Sequence, residues 1–219
     1  EMKVVIKKDL QMFQIGQRAF DNQIKNYKDD DIIAYTDALT TEYVTAITSQ
    51  GKTVTRLVND LDQSTLESGS ESLNKSIPDL KSDDEFIGCV VNDVSNESNE
   101  KVLIVSNHGY VKIISAEKLR PSLKTKGYMK KTGLASTLKK QGDFLNFMEV
   151  IDKKVFDDLE LHVILNDKSK KSGIVNRYIE LSKWSNKNYG PGGSGFKGLN
   201  TKDGELTYKE HHLYRKDKD

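Results

Sequence analysis

The stretch "KVLIVSNHGYVKIIS", residues 101–115, decides how the rest of this sequence is read. Two runs of β-branched and apolar residues flank Asn107-His108-Gly109, and Gly109 supplies the positive φ that a tight antiparallel turn requires. The stretch is a β-hairpin. "YVTAITSQGKTVTRLV" (43–58) repeats it with Gly51 in the turn. "KVVIKKDLQMFQI" (3–15) is the same unit without a glycine, Asp9 taking the turn, and "LELHVILNDKSKKSGIVNRYIEL" (159–181) is a fourth with a longer, basic tip.

An acidic cluster running into an apolar strand precedes three of these hairpins, as "DDDIIAY" (29–35), "SDDEFIGCVV" (82–91) and "QGDFLNFMEV" (141–150). The expected unit is acidic turn, strand, hairpin and polar loop. Self-similarity at intervals of about 40–60 residues marks an array whose units bury their faces against one another. The expected fold is an all-β, propeller-like array of about three to four blades. Residues 1–61, 82–140 and 141–205 are its approximate blades and 62–81 a polar linker, loop-like or mobile, all in one domain of 1–219. Helices are minor: "RAFDNQIKNY" (18–27) allows two turns without a clean apolar stripe.

At 219 residues with 31% charged and 36% hydrophobic residues, the chain is a polar one that needs no disulfides to hold a core. Its single cysteine, Cys89, lies in the apolar run "FIGCVV" and reads as a buried structural thiol. No run reaches the roughly 18 apolar residues of a membrane span, and "EMKVVIKKD" lacks a signal-peptide core. A chain that opens on Glu1 is expected to be an excised or processed piece of something longer.

The net charge of +1 conceals a segregation. Residues 57–100 hold eleven acidic and two basic residues, a balance of −9, whereas 101–140 hold ten basic residues and one acid, Glu117, a balance of +9. Within the latter, "KLRPSLKTKGYMKK" (118–131) carries six Lys and Arg and no acid. Lysines and arginines that neutralise phosphates supply most of sequence-independent DNA affinity, so this segment is a candidate DNA track. Gly127 and Gly133 would let backbone approach phosphate.

Other motifs exclude more than they support. "GPGGSGFKG" (190–198) has a G-x-x-x-x-G spacing, but Phe196 follows where a phosphate loop needs Lys, and Lys197 precedes Gly198 rather than Ser or Thr. His108 falls in a turn, His162 in a strand and His211-His212 in an exposed tail, with no metal-binding spacing among them. Tyr110, Tyr128, Trp184 and Tyr189 sit in or beside basic segments and read as packing residues, because a duplex hides its bases.

These residues resemble a known family. Asp84 and Glu85, the strand from Val102 to Val105, Gly109, Tyr110, Lys112, Glu117, Leu119, Arg120 and the loop ending at Lys126-Gly127 follow in order the blade pattern of the C-terminal β-pinwheel of bacterial type IIA topoisomerase A subunits, in gyrase and topoisomerase IV. The preceding 3–61 is similar to another blade, and 188–205 resembles a Gly-rich basic box without its consecutive arginines. Ile113 stands where the family usually has arginine after Lys112, and the first hairpin lacks its turn glycine.

The resemblance implies a non-catalytic domain that binds and bends or guides duplex DNA, with the cleaving tyrosine in a separate N-terminal region. DNA-binding residues by that implication are Lys112, Lys118, Arg120, Lys124, Lys126, Lys130, Lys131, Lys139, Lys140, Lys187 and Lys197. Implied partners are duplex DNA, the N-terminal breakage-reunion region of the same subunit and the ATPase subunit, in the cytoplasm at the nucleoid. No cofactor, metal or membrane is implied. The alternative is a propeller-like protein-interaction module whose basic face meets an acidic protein.

Overall fold

The computed structural model describes residues 1–93, 97–119, 142–171, 173–190, 195–199 and 206–216. The elements in chain order are β1 (Met2–Lys7), β2 (Gln11–Gly16), α1 (Gln17–Ile24), β3 (Ile32–Ala38), β4 (Tyr43–Thr48), β5 (Thr53–Leu57), β6 (Phe86–Asn92), β7 (Glu100–Ser106), β8 (Tyr110–Ser115), β9 (Leu145–Asp152), α2 (Lys153–Phe156), β10 (Leu159–Asp167), β11 (Gly173–Glu180), α3 (Leu181–Tyr189), β12 (Lys197–Gly198) and β13 (Leu206–Arg215). Among the described residues the strands form four antiparallel sheets, ordered β2-β1-β3, β5-β4-β6, β12-β8-β7-β9 and β11-β10-β13. All four expected hairpins are present.

The acidic lead-in strands pair differently from the expected order. β3, β6 and β9 each join the first strand of the hairpin behind them, not the one ahead. The sheets therefore cross the limits at 61/82 and 140/141, because β6 belongs with residues 43–57 and β9 with 100–115. A returning antiparallel strand can close on either neighbour, and sequence adjacency alone does not choose.

Each returning strand also carries one extra residue near the turn end of its central partner: Ile33, Ile87, Asn146 and, in β13, Lys209. This shared irregularity is the physical form of the repeat. β13 contains His211 and His212, so the segment read as an exposed tail is the third strand of the last sheet. Its charged residues hid the strand, since only alternate positions of β13 need be sheltered.

The acids at the lead-ins have a structural role. Asp84 Oδ1 accepts from Ser49 Oγ at 2.7 Å and from the Gln50 N–H at 3.2 Å. Asp143 Oδ1 accepts from the N–H groups of His108 at 3.1 Å and Phe144 at 2.9 Å. Both carboxylates are buried. Each thus satisfies turn donors of the hairpin that its strand rejoins. Gly51 and Gly109 sit in those turns with φ of 77° and 83°. In the first hairpin the positive φ falls on Leu10, at 64°, rather than on Asp9, and the buried Leu10 side chain in the core holds that strained residue in place.

The described residues divide into two compact units, one within 1–98 together with 117–119, the other within 99–116 together with 142–216. In the first, Val4, Ile6 and Met12 pack on Val44, Ala46, Val54, Phe86 and the buried Cys89. The other face of the first sheet carries Lys3, Val5 and Lys7, and is roofed by Phe20 of α1 and by Leu66. The segment expected as a linker is a loop with one 3-10 turn, Asn74–Ser76, and it is held down: Gln14 N–H donates to Asp62 O, Ser64 N–H to Gln14 O and Leu73 N–H to Leu10 O. In the second unit, Leu103, Val105, Val111 and Phe147 pack against Leu161, Val163, Leu165 and Leu206.

Lys3 and Lys7 point inward because partners wait there. Lys3 Nζ lies 2.5 Å from Asp37 and 5.2 Å above the Phe20 ring centre. Lys7 Nζ lies 3.3 Å from Asp31 and 5.3 Å from the Tyr27 ring centre, while Tyr27 donates its hydroxyl to Asp31 at 2.6 Å. Burial works against the Lys7 charge, but hydrogen bonds to Tyr27 and Asp31 and the Asp31 charge outweigh it and raise the pKa. Burial likewise works against ionised Asp31, and the bonds from Tyr27 and Lys7 prevail and lower it.

Two predictions follow from these contacts. Asp84→Ala and Asp143→Ala each remove a buried carboxylate from the turn donors it serves and should cost about 1–3 kcal/mol in urea unfolding, whereas Glu85→Ala, at an exposed neighbour, should stay within about 0.5 kcal/mol. Equal losses for all three would refute the turn-locking role. For Asp31, a depressed folded pKa means a contribution present above the unfolded value of about 3.9 and lost as pH falls through the folded one. Asp31→Asn should cost about 1 kcal/mol near neutral pH, solvent screening on its exposed side keeping it well under the fully buried case. Unfolding curves from neutral pH into acid should show the gap between wild type and variant closing.

Candidate nucleic-acid interface

The sequence-derived lysines are placed unequally. Lys118, in the first unit, is exposed in the 3-10 turn Ala116–Leu119. Lys187 is exposed on α3, and Lys197 half-buried on β12, in the second. Lys112 is only 9% exposed on β8, and its ammonium lies 5.6 Å from the ring centre of buried Phe196. It is an interior residue of its sheet rather than a loop cation. Arg120, Lys124, Lys126, Lys130, Lys131, Lys139 and Lys140 lie outside the described residues. So do Tyr128, Gly127 and Gly133.

The Gly-rich segment is anchored at both described ends. α3 stops at Gly190, whose φ of 50° no ordinary helical residue adopts. One residue earlier, the Tyr189 hydroxyl donates to Gly195 O at 2.8 Å and accepts the Ile113 N–H at 3.2 Å. Burial pushes this phenol above its ordinary pKa, so it remains a donor at neutral pH. Beyond the glycines, Lys197 faces Val111 across an antiparallel pairing, and Leu199 N–H donates to Gly109 O. What read as a loop approaching phosphate is thus stitched to the edge of β8, with Lys197 held on that edge. Trp184 and Tyr189 pack on the core of the second unit at their edges, 5.7 Å between ring centres, as the packing reading had it.

Among the described residues, Tyr208, His211 and Glu149 form one hydrogen-bonded group. The Tyr208 hydroxyl lies 2.7 Å from His211 Nδ1, and His211 Nε2 lies 3.2 Å from Glu149. Burial, followed by the charges of Glu210 and Glu149, pushes the Tyr208 phenol up, opposite to what nucleophilic attack requires. His211 instead stacks flat on Phe147 at 3.6 Å, joining β13 to β9. A cavity of about 340 Å³ beside α1 is lined by Asn22, Gln23, Asn26, Tyr27, Thr65, Leu66 and Glu67, with a single carboxylate among its side chains. Among the described residues no helix is long and apolar enough to cross a membrane.

Sequence reading missed that two of its N-terminal lysines, Lys3 and Lys7, are interior; the apolar Val5, which shares their face of the strand, was the available signal. If Tyr189 pins the Gly-rich segment, Tyr189→Phe leaves the Ile113 N–H and Gly195 O without that partner and should cost about 1–2 kcal/mol. Thermal melts check this, and an unchanged melting temperature would count against the anchor.

Against known proteins, no family model and no curated protein matches the sequence. Solved structures do. The C-terminal domain of a DNA topoisomerase IV superposes with a TM-score of 0.69 and 20% identity over 98% of this chain, which spans 61% of that one. The E. coli ParC C-terminal domain gives 0.49 and 12% over 99% of this chain and 82% of its own, and a DNA gyrase A C-terminal domain 0.46 and 13% over 96% and 64%. The first of these carries the comparison: with its four small antiparallel sheets, the chain has the all-β pinwheel fold of a topoisomerase IV C-terminal domain.

Proposed function

We propose that this chain is the DNA-binding C-terminal region of a type IIA topoisomerase A subunit, a non-catalytic element that bends or guides a duplex segment. The observation that carries the reading is the +9 balance of residues 101–140 in a chain with this fold. Lys118, Lys187 and Lys197, with Arg120, Lys124, Lys126, Lys130, Lys131, Lys139 and Lys140, are the phosphate contacts. Lys112, turned onto Phe196, serves packing. Binding energy would go into deforming the duplex, with bond breakage left to a breakage-reunion region and the ATPase subunit as partners. Phosphate contacts of this kind set position without reading sequence.

Each neutralised phosphate contributes about 0.9 to the magnitude of the slope of log K against log salt. Replacing Lys124, Lys126, Lys130 and Lys131 by Gln should flatten that slope by up to about 3–4 for random-sequence duplex. The control replaces Lys8, Lys25, Lys28 and Lys75, all exposed in the first unit and near acids. Lys3 and Lys7 are unsuitable controls, since their loss would disturb the interior. Equal slopes for both variants, measured between about 50 and 200 mM salt, would remove the 118–131 loop from the DNA track.

A further inference from the structure

We propose that the β10–β11 tip, Lys168, Lys170 and Lys171, is a further contact point for the duplex backbone, at the same end of the second unit as Lys197. This rests on the DNA-binding reading above and adds a site to it.

The two hairpin tips of the second unit share one end. An added Cβ on Gly109, in the β7–β8 turn, would lie 3.2 Å from Leu165 of β10. His108 Nδ1 lies 2.6 Å from Leu206 O, and Leu206 is the register partner of Asp167, where the β10–β11 tip begins. Leu199, two residues past Lys197, donates its N–H to Gly109 O. Lys197 and the three tip lysines are therefore tied to the same turn.

Two carboxylates at this end, Asp143 and Asp167, are engaged by nearby donors. Asp143 is 6% exposed and spends Oδ1 on the turn N–H of His108 and on Phe144. Asp167 Oδ1 accepts from the Ser169 N–H at 3.0 Å and from its hydroxyl at 2.5 Å. Those two bonds, with a smaller contribution from the Lys170 charge, hold its carboxyl below the ordinary value. The tip thus keeps a local balance of +2 across Asp167–Lys171, three lysines less one acid. All three lysines are exposed. At the opposite end of the unit, by contrast, Glu100, Asp152, Asp157, Asp158, Glu160 and Glu180 intersperse the lysines.

The tip is also preformed. Lys170 N–H donates to Asp167 O and Gly173 N–H to Lys170 O, both at 3.2 Å, so consecutive turns sit on an eight-pair antiparallel register. A backbone already in place gives up less conformational freedom on meeting a ligand. A phosphate backbone suits such a site better than a discrete anion pocket, because Lys168, Lys170 and Lys171 are all exposed on a hairpin tip.

The test uses the whole chain and random-sequence duplex DNA. Lys168→Gln, Lys170→Gln and Lys171→Gln combined should flatten the log K against log salt slope by about 2–3, and the triple Arg variant should keep it. Acetylation of surface lysines should be slowed by DNA at the tip and not at Lys25 or Lys28. A wild-type chain without salt-dependent duplex binding overturns the functional reading itself. A wild-type chain that binds, with an unchanged slope in the Gln variant and no protection at the tip, overturns this inference alone.

Discussion

The architecture depends on one repeated contact, in which a strand returning to a hairpin is locked at the hairpin's turn. Asp84 and Asp143 take the turn N–H groups of Gln50 and His108, and the adjoining backbone adds Ser49 N–H to Glu85 O and Asn107 N–H to Phe144 O. A buried carboxylate so placed fixes where the third strand starts. The extra residue just inside it, Ile87 or Asn146, then absorbs the offset between turn and ladder. In the first sheet Asp31 does the same by another route, accepting Lys8 N–H on its carbonyl and pairing its carboxylate with Lys7. Without this lock, a short strand in a three-stranded sheet would have little to define its register.

The central strands β1, β4 and β7 are consequently the most buried in their sheets. Burial on both faces explains why they read as continuous apolar runs. It also forces any lysine on them to find company: Lys3 and Lys7 lie against aromatic rings and aspartates. Lys112, on β8, lies over Phe196 for the same reason. Among the described residues, lysines therefore include interior ones that tie sheets to their coverings, such as Lys3, Lys7 and Lys112, and exposed ones such as Lys118 and Lys187 that are open to a polyanion.

The coverings show how faces and edges of individual sheets are closed. α1 and the segment around Leu66 shelter the face bearing Val5, while β2 is edged by the chain at Asp62–Ser64. On the second unit the edge of β8 is occupied by β12. Polar stretches rich in Ser and Gly thus do edge-covering work, which protects strands from pairing with other chains.

Local sequence was enough to give the four hairpins, the turn glycines Gly51 and Gly109 and the all-β class, because alternation and positive-φ turns are local properties that a few neighbouring residues decide. The charge segregation was legible for the same reason, being a sum over a segment. Strand pairing was not. Whether "DDEFIGCVV" closes on the hairpin before or after it depends on an Asp84 contact with Ser49 and Gln50, some 34 residues away, and nothing local distinguishes the two. The polar-looking β13 was missed because its partner β10 supplies the shelter that its own residues do not announce. Lysine identity gave no sign of burial at Lys3, Lys7 or Lys112, since a cation enters the interior only where a distant chain segment brings a carboxylate or ring to it. That choice belongs to tertiary structure, because the cost of burying a charge is met by partners that sequence distance conceals.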